Sequence, residues 1–396
     1  MTAPRRNEVA TVPAVAYLTY DATDSSVIKR AAMFHDTGYR VQGLMFSRKR
    51  VNLERPPDWD NLDLGTIGDR AFVRRLLHLC RAMVRIWRHR KQLTGTTLIY
   101  ARNLDLAILG LFLRSILPGR PRLVYEVLDV HGSLLGNGAV NRVLRVVERR
   151  VLRSSVCLVV SSTRFIDDYF AAVQGYRGPH HLVENKLTAR WMERAPTWQD
   201  PGARAPDRPD RPRPRPPWVL GWFGALRCPA SLDLLTRLAA ALPDRVVLYL
   251  RGAPVDLGWE RFNAAIEGHP NIVFDGRYRN PEDLEAIYAE VDFNWCTDLV
   301  EPEANSKWLL PNRIYEGGYF NCPAIATADT ATGDKIAALG LGATIAAPHF
   351  ESLVAFFRDM TAERHQAMVA KVAALPRTEF CDDAQFRALL DRVGPA

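Results

Sequence analysis

Residues 309–327 read LLPNRIYEGGYFNCPAIAT and place a short charged helix directly before a buried strand. This stretch puts one carboxylate, Glu316, on a short helix that a Pro-Asn pair opens. Two glycines then weaken the helix, a cost that needs a reason, and a buried apolar strand follows at once. A carboxylate there can accept hydrogen bonds from the vicinal hydroxyls of a ribose. The alternative is that Glu316 only complements a positive helix end.

Composition is ordinary for a globular protein, with 396 residues, 47% of them hydrophobic and 24% charged. The length predicts two domains, and no apolar run is long enough to predict a transmembrane helix. We expect residues 1–13 to be a disordered start before the first strand and not a secretory signal. The six cysteines are isolated from one another, which favours free thiols in a reducing, cytoplasmic compartment.

The net charge of +8 hides an asymmetry between the two halves of the chain. Residues 1–217 carry 36 Lys and Arg against 20 Asp and Glu, whereas the remainder carries 16 against 24. A basic half indicates a polyanionic partner such as an anionic membrane surface, a phosphorylated lipid or nucleic acid. Arg-rich codon usage is the alternative, but it does not explain an acidic second half.

A Pro/Arg-rich segment, residues 201–217, divides the chain and is predicted to be an extended linker. It separates an N-terminal domain (residues 1–200) from a C-terminal domain (residues 218–380). Residues 381–396 are predicted to form a C-terminal helix. Whether this helix crosses back to the N-terminal domain is left open by the sequence. Both halves alternate short apolar runs with helical patterns, which predicts two doubly wound α/β domains with parallel sheets facing a cleft.

Two basic amphipathic helices are predicted in the first half, over residues 72–93 and 140–154. Helices of this kind lie on anionic membranes. The alternative is that their basic residues form an ordinary solvated face.

The segment VLGWFGALRCPASLDLL, residues 219–235, predicts a strand, a glycine loop and a helix. Gly224 permits close approach of a ligand to the backbone, and Arg227 lies where the loop enters the helix. Backbone amides at a helix start together with an Arg side chain suit a diphosphate. The chain contains neither GxGxxG nor GxxxxGK[ST], which argues against a dinucleotide oxidoreductase and a P-loop enzyme.

These motifs occur in an order that resembles the GT-B glycosyltransferases, particularly family 4 and its bacterial exopolysaccharide-assembly members. GALR is followed by NIVFDGRYRNPEDLEAIYAEVDF and then by LPNRIYEGGYFNCPAIAT. In the first half, LIYARNLDLAILGLFL, YEVLDVHGSLLG and VERRVLRSSVCLVVSSTRFIDDYF are similar to segments of the same group. The resemblance covers residues 14–192 and 218–393.

On the donor side, the resemblance implies that Glu316 binds the ribose of a nucleotide diphosphate sugar, UDP-linked, and that Arg227 binds its phosphates. Asn312 and Arg313 occupy the family's Asn-Lys place, and Gly224 and Gly317 leave room for the donor. The sequence departs from the family's pattern at three positions. Leu232 stands where a Lys is frequent, Trp308 where a sugar-contacting Glu is expected, and Leu128 where a His precedes the Asp.

On the acceptor side, the candidates for catalysis are Asp129, Glu126 and His131, at the end of a predicted strand. An Asp or Glu there would act as a general base, or would only orient the acceptor if the enzyme retains the anomeric configuration. A hydrogen-bonded Asp at a strand end is the alternative. Arg102 and Asn103 follow another strand and are predicted to line the acceptor cleft.

No metal and no cofactor is expected. The sequence DWD, residues 58–60, fits a metal-binding pattern of the other glycosyltransferase fold, but it is predicted to lie in a loop. Arg side chains and a helix N-terminus would stabilise the leaving group instead.

The function predicted from the sequence is therefore metal-independent, retaining hexosyl transfer from a UDP-sugar. The acceptor is a saccharide, expected to be lipid-linked at the inner face of the membrane, and nucleic acid is not expected as a partner. Two alternatives stay open, a nucleotide-sugar epimerase of the same fold and a non-catalytic scaffold or regulator.

Overall fold

The computed structural model describes residues 12–47, 57–66, 72–190 and 216–394, without the side chains of residues 72–75. The start of the chain that was predicted to be disordered lies almost wholly outside these ranges, as does most of the Pro/Arg-rich linker.

The N-terminal domain is a seven-stranded parallel sheet in the order β3-β2-β1-β4-β5-β6-β7. Its strands are β1 (Ala14–Tyr20), β2 (Arg40–Ser47), β3 (Asp60–Thr66), β4 (Thr96–Arg102), β5 (Arg122–Val127), β6 (Cys157–Val160) and β7 (His180–Leu182). Its helices are α1 (Ser25–Asp36), α2 (Phe72–His89), α3 (Leu104–Ile116) and α4 (Ala139–Ser154), with a π-helix at Phe165–Ala171.

The C-terminal domain is a six-stranded parallel sheet in the order β10-β9-β8-β11-β12-β13. Its strands are β8 (Trp218–Ala225), β9 (Val246–Ala253), β10 (Ile272–Phe274), β11 (Phe293–Trp295), β12 (Ala324–Thr327) and β13 (Gly342–Ile345). Its helices are α5 (Pro229–Ala241), α6 (Trp259–Ile266), α7 (Leu284–Ala289), α8 (Asn305–Trp308), α9 (Asn312–Tyr319), α10 (Ala331–Leu339), α11 (His349–Arg358) and α12 (Ala362–Ala373).

This architecture confirms the predicted fold class, two doubly wound parallel-sheet domains. Strands β1 and β5 are buried along almost their whole length, because helices cover both faces of the sheet, and this explains their continuous apolar sequences. In both sheets the strand order reverses direction, between β1 and β4 and between β8 and β11. Ligands of such sheets bind beyond the carboxyl ends of the strands at this point.

The last helix, α13 (Ala384–Val393), packs on the N-terminal sheet although it follows the C-terminal domain in sequence. The Phe386 ring meets the Phe34 ring edge-on at 4.9 Å between centroids. The His181 ring lies 2.7 Å from the Gln385 carbonyl oxygen. The chain therefore crosses between the domains twice, at the linker and again before α13.

Every cysteine is a free thiol. Among the described helices, none combines the length and the apolar character that crossing a membrane requires.

Candidate active site

The glycine loop of the C-terminal domain lies where β8 and β9 end. Gly224 has φ +100°, which favours glycine, and a Cβ on Gly252 would lie 1.8 Å from the Gly224 carbonyl oxygen. The Arg313 side chain reaches this place from α9. Its Nε donates to the Trp295 carbonyl (2.9 Å) and its Nη1 to the Phe223 carbonyl (3.0 Å). A cation is thus fixed at the carboxyl ends of the two central strands, beside the loop predicted to hold phosphate.

Glu316 lies next to this loop, one turn into α9, and its side chain is buried. One carboxylate oxygen accepts from Asn280 Nδ2 (2.9 Å) and the other from the Tyr288 hydroxyl (3.4 Å). Burial raises the pKa of Glu316, and the bond from Asn280 and the charges of Lys29 and Arg313 oppose that rise. Each oxygen keeps a second lone pair that a ribose hydroxyl could use.

Two residues that sequence reasoning did not select complete this side of the cleft. Asn280 holds Glu316, and Tyr278 places its hydroxyl 3.8 Å from where a Cβ on Gly224 would stand. Both lie in the segment NIVFDGRYRNPEDLEAIYAEVDF that carries the family resemblance, but nothing in their spacing distinguished them from their charged neighbours. Asn312, the first residue of α9, is partly exposed.

The role predicted for Gly317 needs correction. A Cβ on Gly317 would lie 2.5 Å from Asn294 Nδ2, and one on Gly318 would lie 2.2 Å from the Phe380 ring. Both positions are buried within the domain. The glycine pair therefore makes room for neighbouring side chains of the protein and not for a ligand.

Arg227 faces the cleft and pairs with Asp298, a carboxylate to which the sequence assigned no place in the site. Its Nη2 lies 3.3 Å from Asp298 Oδ2. Asp298 also accepts from the Ser306 hydroxyl (2.6 Å) and the Val300 amide (3.0 Å). Burial favours a higher pKa for Asp298, but these bonds and the charge of Arg227 outweigh burial and lower the pKa. This carboxylate therefore stays charged.

Asp129 brings the N-terminal domain into the same site. It is exposed at the end of β5, but lies deep enough between the domains that desolvation raises its pKa. Arg227 opposes that rise, whereas Asp298 and Glu301 add to it. The three perturbing charges all come from the C-terminal domain, and the next residue, Val130, hydrogen-bonds to Asn305 of that domain, so Asp129 lies beside it. His131 is exposed and its Nδ1 accepts from the Ser133 amide (3.2 Å), which caps a short 3₁₀ turn.

The structure contradicts the proposed catalytic role of Glu126. Its carboxylate is buried between Arg30 Nη2 (2.6 Å) and Arg102 Nε (2.5 Å). Burial disfavours the charge, but the two guanidinium groups prevail and lower the pKa of Glu126 to about 2. A carboxylate so held has no oxygen turned toward an acceptor and is a poor proton acceptor near neutral pH.

Arg102 and Asn103 also act from beneath the cleft and do not line it. Arg102 is 3% exposed and lies in the ion cluster with Glu126. Asn103 adopts φ +66°, and its backbone amide donates to the Glu126 carbonyl (2.8 Å). Its side-chain Oδ1 accepts from the Leu128 backbone amide (3.4 Å). Both residues therefore shape the segment that leads to Asp129.

The departures from the family pattern have structural explanations. Leu232 is buried in the core beneath α5, where a Lys charge would be unpaired. Trp308 does not face the donor site at all. It packs in the core of the N-terminal domain, 6.1 Å from the Phe165 ring and 6.3 Å from the Tyr169 ring, centroid to centroid.

The DWD segment lies away from this cleft, with Asp60 at the start of β3 and both Asp side chains exposed. Within the described residues, no group of three His, Cys, Asp or Glu side chains is arranged to hold a metal ion.

Sequence comparison links the chain to one characterised system. It is 33% identical over 347 residues to the succinoglycan biosynthesis protein ExoL of Rhizobium meliloti (strain 1021), which covers 88% of this chain and 84% of that protein. The chain belongs to the ExoL family. No family model matches it.

Solved structures similar to this ExoL-family protein are glycosyltransferases of the same fold. Sucrose-phosphate synthase from Thermosynechococcus elongatus matches with a TM-score of 0.69 at 14% identity, over 96% of this chain and 99% of that one. The lipopolysaccharide glycosyltransferase WaaG matches with a TM-score of 0.65 at 15% identity, over 96% and 100%. Anabaena HepE, solved with UDP and glucose, matches with a TM-score of 0.63 at 13% identity, over 96% and 99%. These findings confirm the predicted GT-B fold and place the chain in the ExoL family, whose Rhizobium meliloti member is named for succinoglycan biosynthesis.

Proposed function

We propose that the protein transfers a hexosyl group from a UDP-linked donor to a saccharide acceptor during synthesis of an exopolysaccharide or cell-surface glycan. The observation that carries this proposal is the convergence of Gly224, Arg313 and the Asn280–Glu316 pair at the carboxyl ends of the C-terminal strands. Arg227 and Asp129 face the same cleft. The name of ExoL and the complex of HepE with UDP-glucose support the pathway and the donor.

The donor would lie across the end of the C-terminal sheet. Glu316 would accept hydrogen bonds from the ribose hydroxyls. Arg313 is fixed by two carbonyl groups, so it could meet a diphosphate without losing side-chain freedom on binding. Arg227 is more exposed and would add a second positive charge.

The reaction that we propose is metal-independent and retaining. The bond between the sugar C1 and the β-phosphate oxygen breaks, and C1 bonds to an acceptor hydroxyl oxygen. The hydroxyl proton passes to the departing phosphate. Arg227 and Arg313 would stabilise the charge that develops on UDP, and Asp129 would orient the acceptor hydroxyl.

We also propose that the acceptor is lipid-linked and that the protein works at the cytoplasmic face of a membrane. Helix α2 supports this proposal because four large apolar side chains on it are exposed, at Leu76, Leu77, Val84 and Trp87. Arg81, Arg85 and Arg88 line an adjacent groove of about 590 Å³. Helix α4 repeats the pattern with exposed Val140, Val143 and Val146. Exposed apolar residues flanked by Arg are typical of helices that lie on anionic lipid.

The test of this function is release of UDP from a panel of UDP-hexoses, with a membrane extract as the acceptor source. We expect release with at least one donor, unaffected by a chelator, and a product whose anomeric configuration by NMR matches the donor's. Arg313→Ala should reduce kcat/KM by roughly 100-fold, since removing one charged transition-state contact costs about 3 kcal/mol. Arg279→Ala is the matched control, because Arg279 is exposed and forms its ion pair with Asp283 on the protein surface.

Other outcomes would identify the alternatives. Interconversion of two UDP-hexoses without an acceptor would indicate an epimerase. A native protein that binds no nucleotide would overturn the proposal and favour a scaffold.

A further inference from the structure

The segment between β11 and α9, residues 297–310, belongs to the C-terminal domain in sequence, but part of it, residues 304–309, packs on the N-terminal domain. Trp308 is part of the N-terminal core, and Ala304 and Leu309 pack against that core. The same segment carries Asp298 and Glu301, two carboxylates whose charges help to raise the pKa of Asp129. Its path therefore connects the donor side and the acceptor side directly.

Asn305 makes the polar part of this connection. Its Oδ1 accepts from the Val130 amide (2.8 Å), and its Nδ2 donates to the Val130 carbonyl (2.8 Å) and to Glu301 Oε2 (2.5 Å). These partners fix the orientation of the amide, because one is a donor and two are acceptors. Asn305 is 8% exposed, so the loss of any of these bonds would leave a buried polar group unpaired.

The two groups that Asn305 contacts are those on either side of the cleft. Val130 directly follows Asp129 and is 1% exposed. Glu301, whose Oε2 is held by Asn305, directs Oε1 toward Gly132, 3.8 Å from where a Cβ on that glycine would stand. One side chain thus fixes both the backbone that carries Asp129 and the carboxylate opposite it.

We propose that Asn305 is a positioning residue that holds Glu301 opposite Asp129, with Trp308 as the apolar anchor of its segment. This inference rests on the proposed function, because it assigns Glu301 to the reacting end of the donor. It also accounts for Trp308, because the side chain at that position fixes the segment to the N-terminal domain.

The contact itself is tested by hydrogen exchange of the full-length protein. Asn305→Asp is nearly isosteric and keeps the acceptor for the Val130 amide, but it loses both donated bonds and places a charge beside Glu301. Asn305→Ala loses all three bonds. We expect exchange in the peptide containing Val130 to rise in Asn305→Ala, and unchanged exchange there would overturn the proposal. Lys307→Ala is the control, since Lys307 is on the same helix but forms its ion pair with exposed Glu303.

The positioning role is tested by kinetics with the UDP-hexose that the native protein uses. Asn305→Asp should lower kcat by roughly 10- to 100-fold, because small misplacements of reacting groups have effects of that size. The donor KM and the affinity for UDP should stay within about threefold, since Arg313 and Glu316 are untouched. Trp308→Phe should keep near-native kcat, whereas Trp308→Ala should behave like Asn305→Asp.

Two results separate the failure of this inference from the failure of the proposed function. Native turnover with an unchanged kcat in Asn305→Asp would overturn the positioning role alone. A native protein that turns over no UDP-hexose would overturn the proposed function and the positioning role with it.

Discussion

Glu126 keeps its negative charge in the interior of the N-terminal domain because Arg30 and Arg102 reach it from α1 and from the end of β4. The sequence showed a carboxylate near a strand end, which is also where a catalytic base would stand. It could not show the ion cluster, since Arg30 is 96 residues from Glu126. Residues far apart in the chain therefore decided the chemistry of this side chain.

The ion cluster predicts how stability depends on pH. The folded-state pKa of Glu126, about 2, lies below the ordinary value of 4.5. The charged Glu126 therefore contributes roughly 3 kcal/mol to the free energy of unfolding. This contribution is present above pH 4.5 and is lost as the pH falls toward 2. Glu126→Gln should lower the thermal midpoint at pH 7, and its difference from the native protein should narrow between pH 4.5 and 2. Glu303→Gln, at an exposed site, should follow the native curve. A difference that is constant with pH would contradict this account.

Glu316 and Arg227 were predicted from local patterns, and the structure places them at the carboxyl ends of the C-terminal strands. Their partners were not predictable, because Asn280, Tyr278 and Asp298 come from other loops and have no distinctive spacing. The sequence thus predicted two charged side chains of the proposed donor site, and the fold supplied their neighbours.

At the scale of the element, the glycine pair of α9 gives a prediction that differs from the one made on sequence alone. Gly318→Ala would press a methyl group against the buried Phe380 ring. We expect a loss of about 1–3 kcal/mol in the free energy of unfolding, measured in urea, with UDP affinity unchanged. Gly132→Ala, where a Cβ meets only ordinary contact, should change stability by less than about 0.5 kcal/mol. If Gly318→Ala folds but no longer binds UDP, the glycine pair instead leaves room for the ligand.

Helix α2 gives a second prediction at this scale. Replacing Arg81, Arg85 and Arg88 with Ala should weaken binding to vesicles rich in anionic lipid by about 3 kcal/mol, since each basic residue near such a surface contributes about 1 kcal/mol. Co-sedimentation of the native protein should also decrease as salt rises. The same change at Arg237, Arg279 and Arg358, exposed on the acidic domain, should have little effect. Equal loss in both variants would contradict a specific role of α2.

At the scale of the whole molecule, the sequence predicted two parallel sheets because apolar runs without alternation require both faces to be covered. Beyond the linker, it did not predict the contacts by which the two domains pack together. Trp308 stands where the family pattern has a Glu, yet its side chain packs in the core of the N-terminal domain. Asn305 carried no signal, because its role depends on a backbone segment 175 residues away. Contacts between the domains depend on which surfaces meet after folding. Neither hydrophobic periodicity nor motif spacing in the sequence predicts them.

We propose that the C-terminal strand ends bind a nucleoside diphosphate through Glu316. The most direct test is calorimetry of UDP with the native protein, Glu316→Gln and the exposed control Glu303→Gln. We expect the native and control proteins to bind UDP alike, and Glu316→Gln to bind roughly 10-fold or more weakly, since a lost hydrogen bond to a charged group costs about 1.5–3 kcal/mol. Equal affinity in Glu316→Gln, or no binding of UDP by the native protein, would contradict the account.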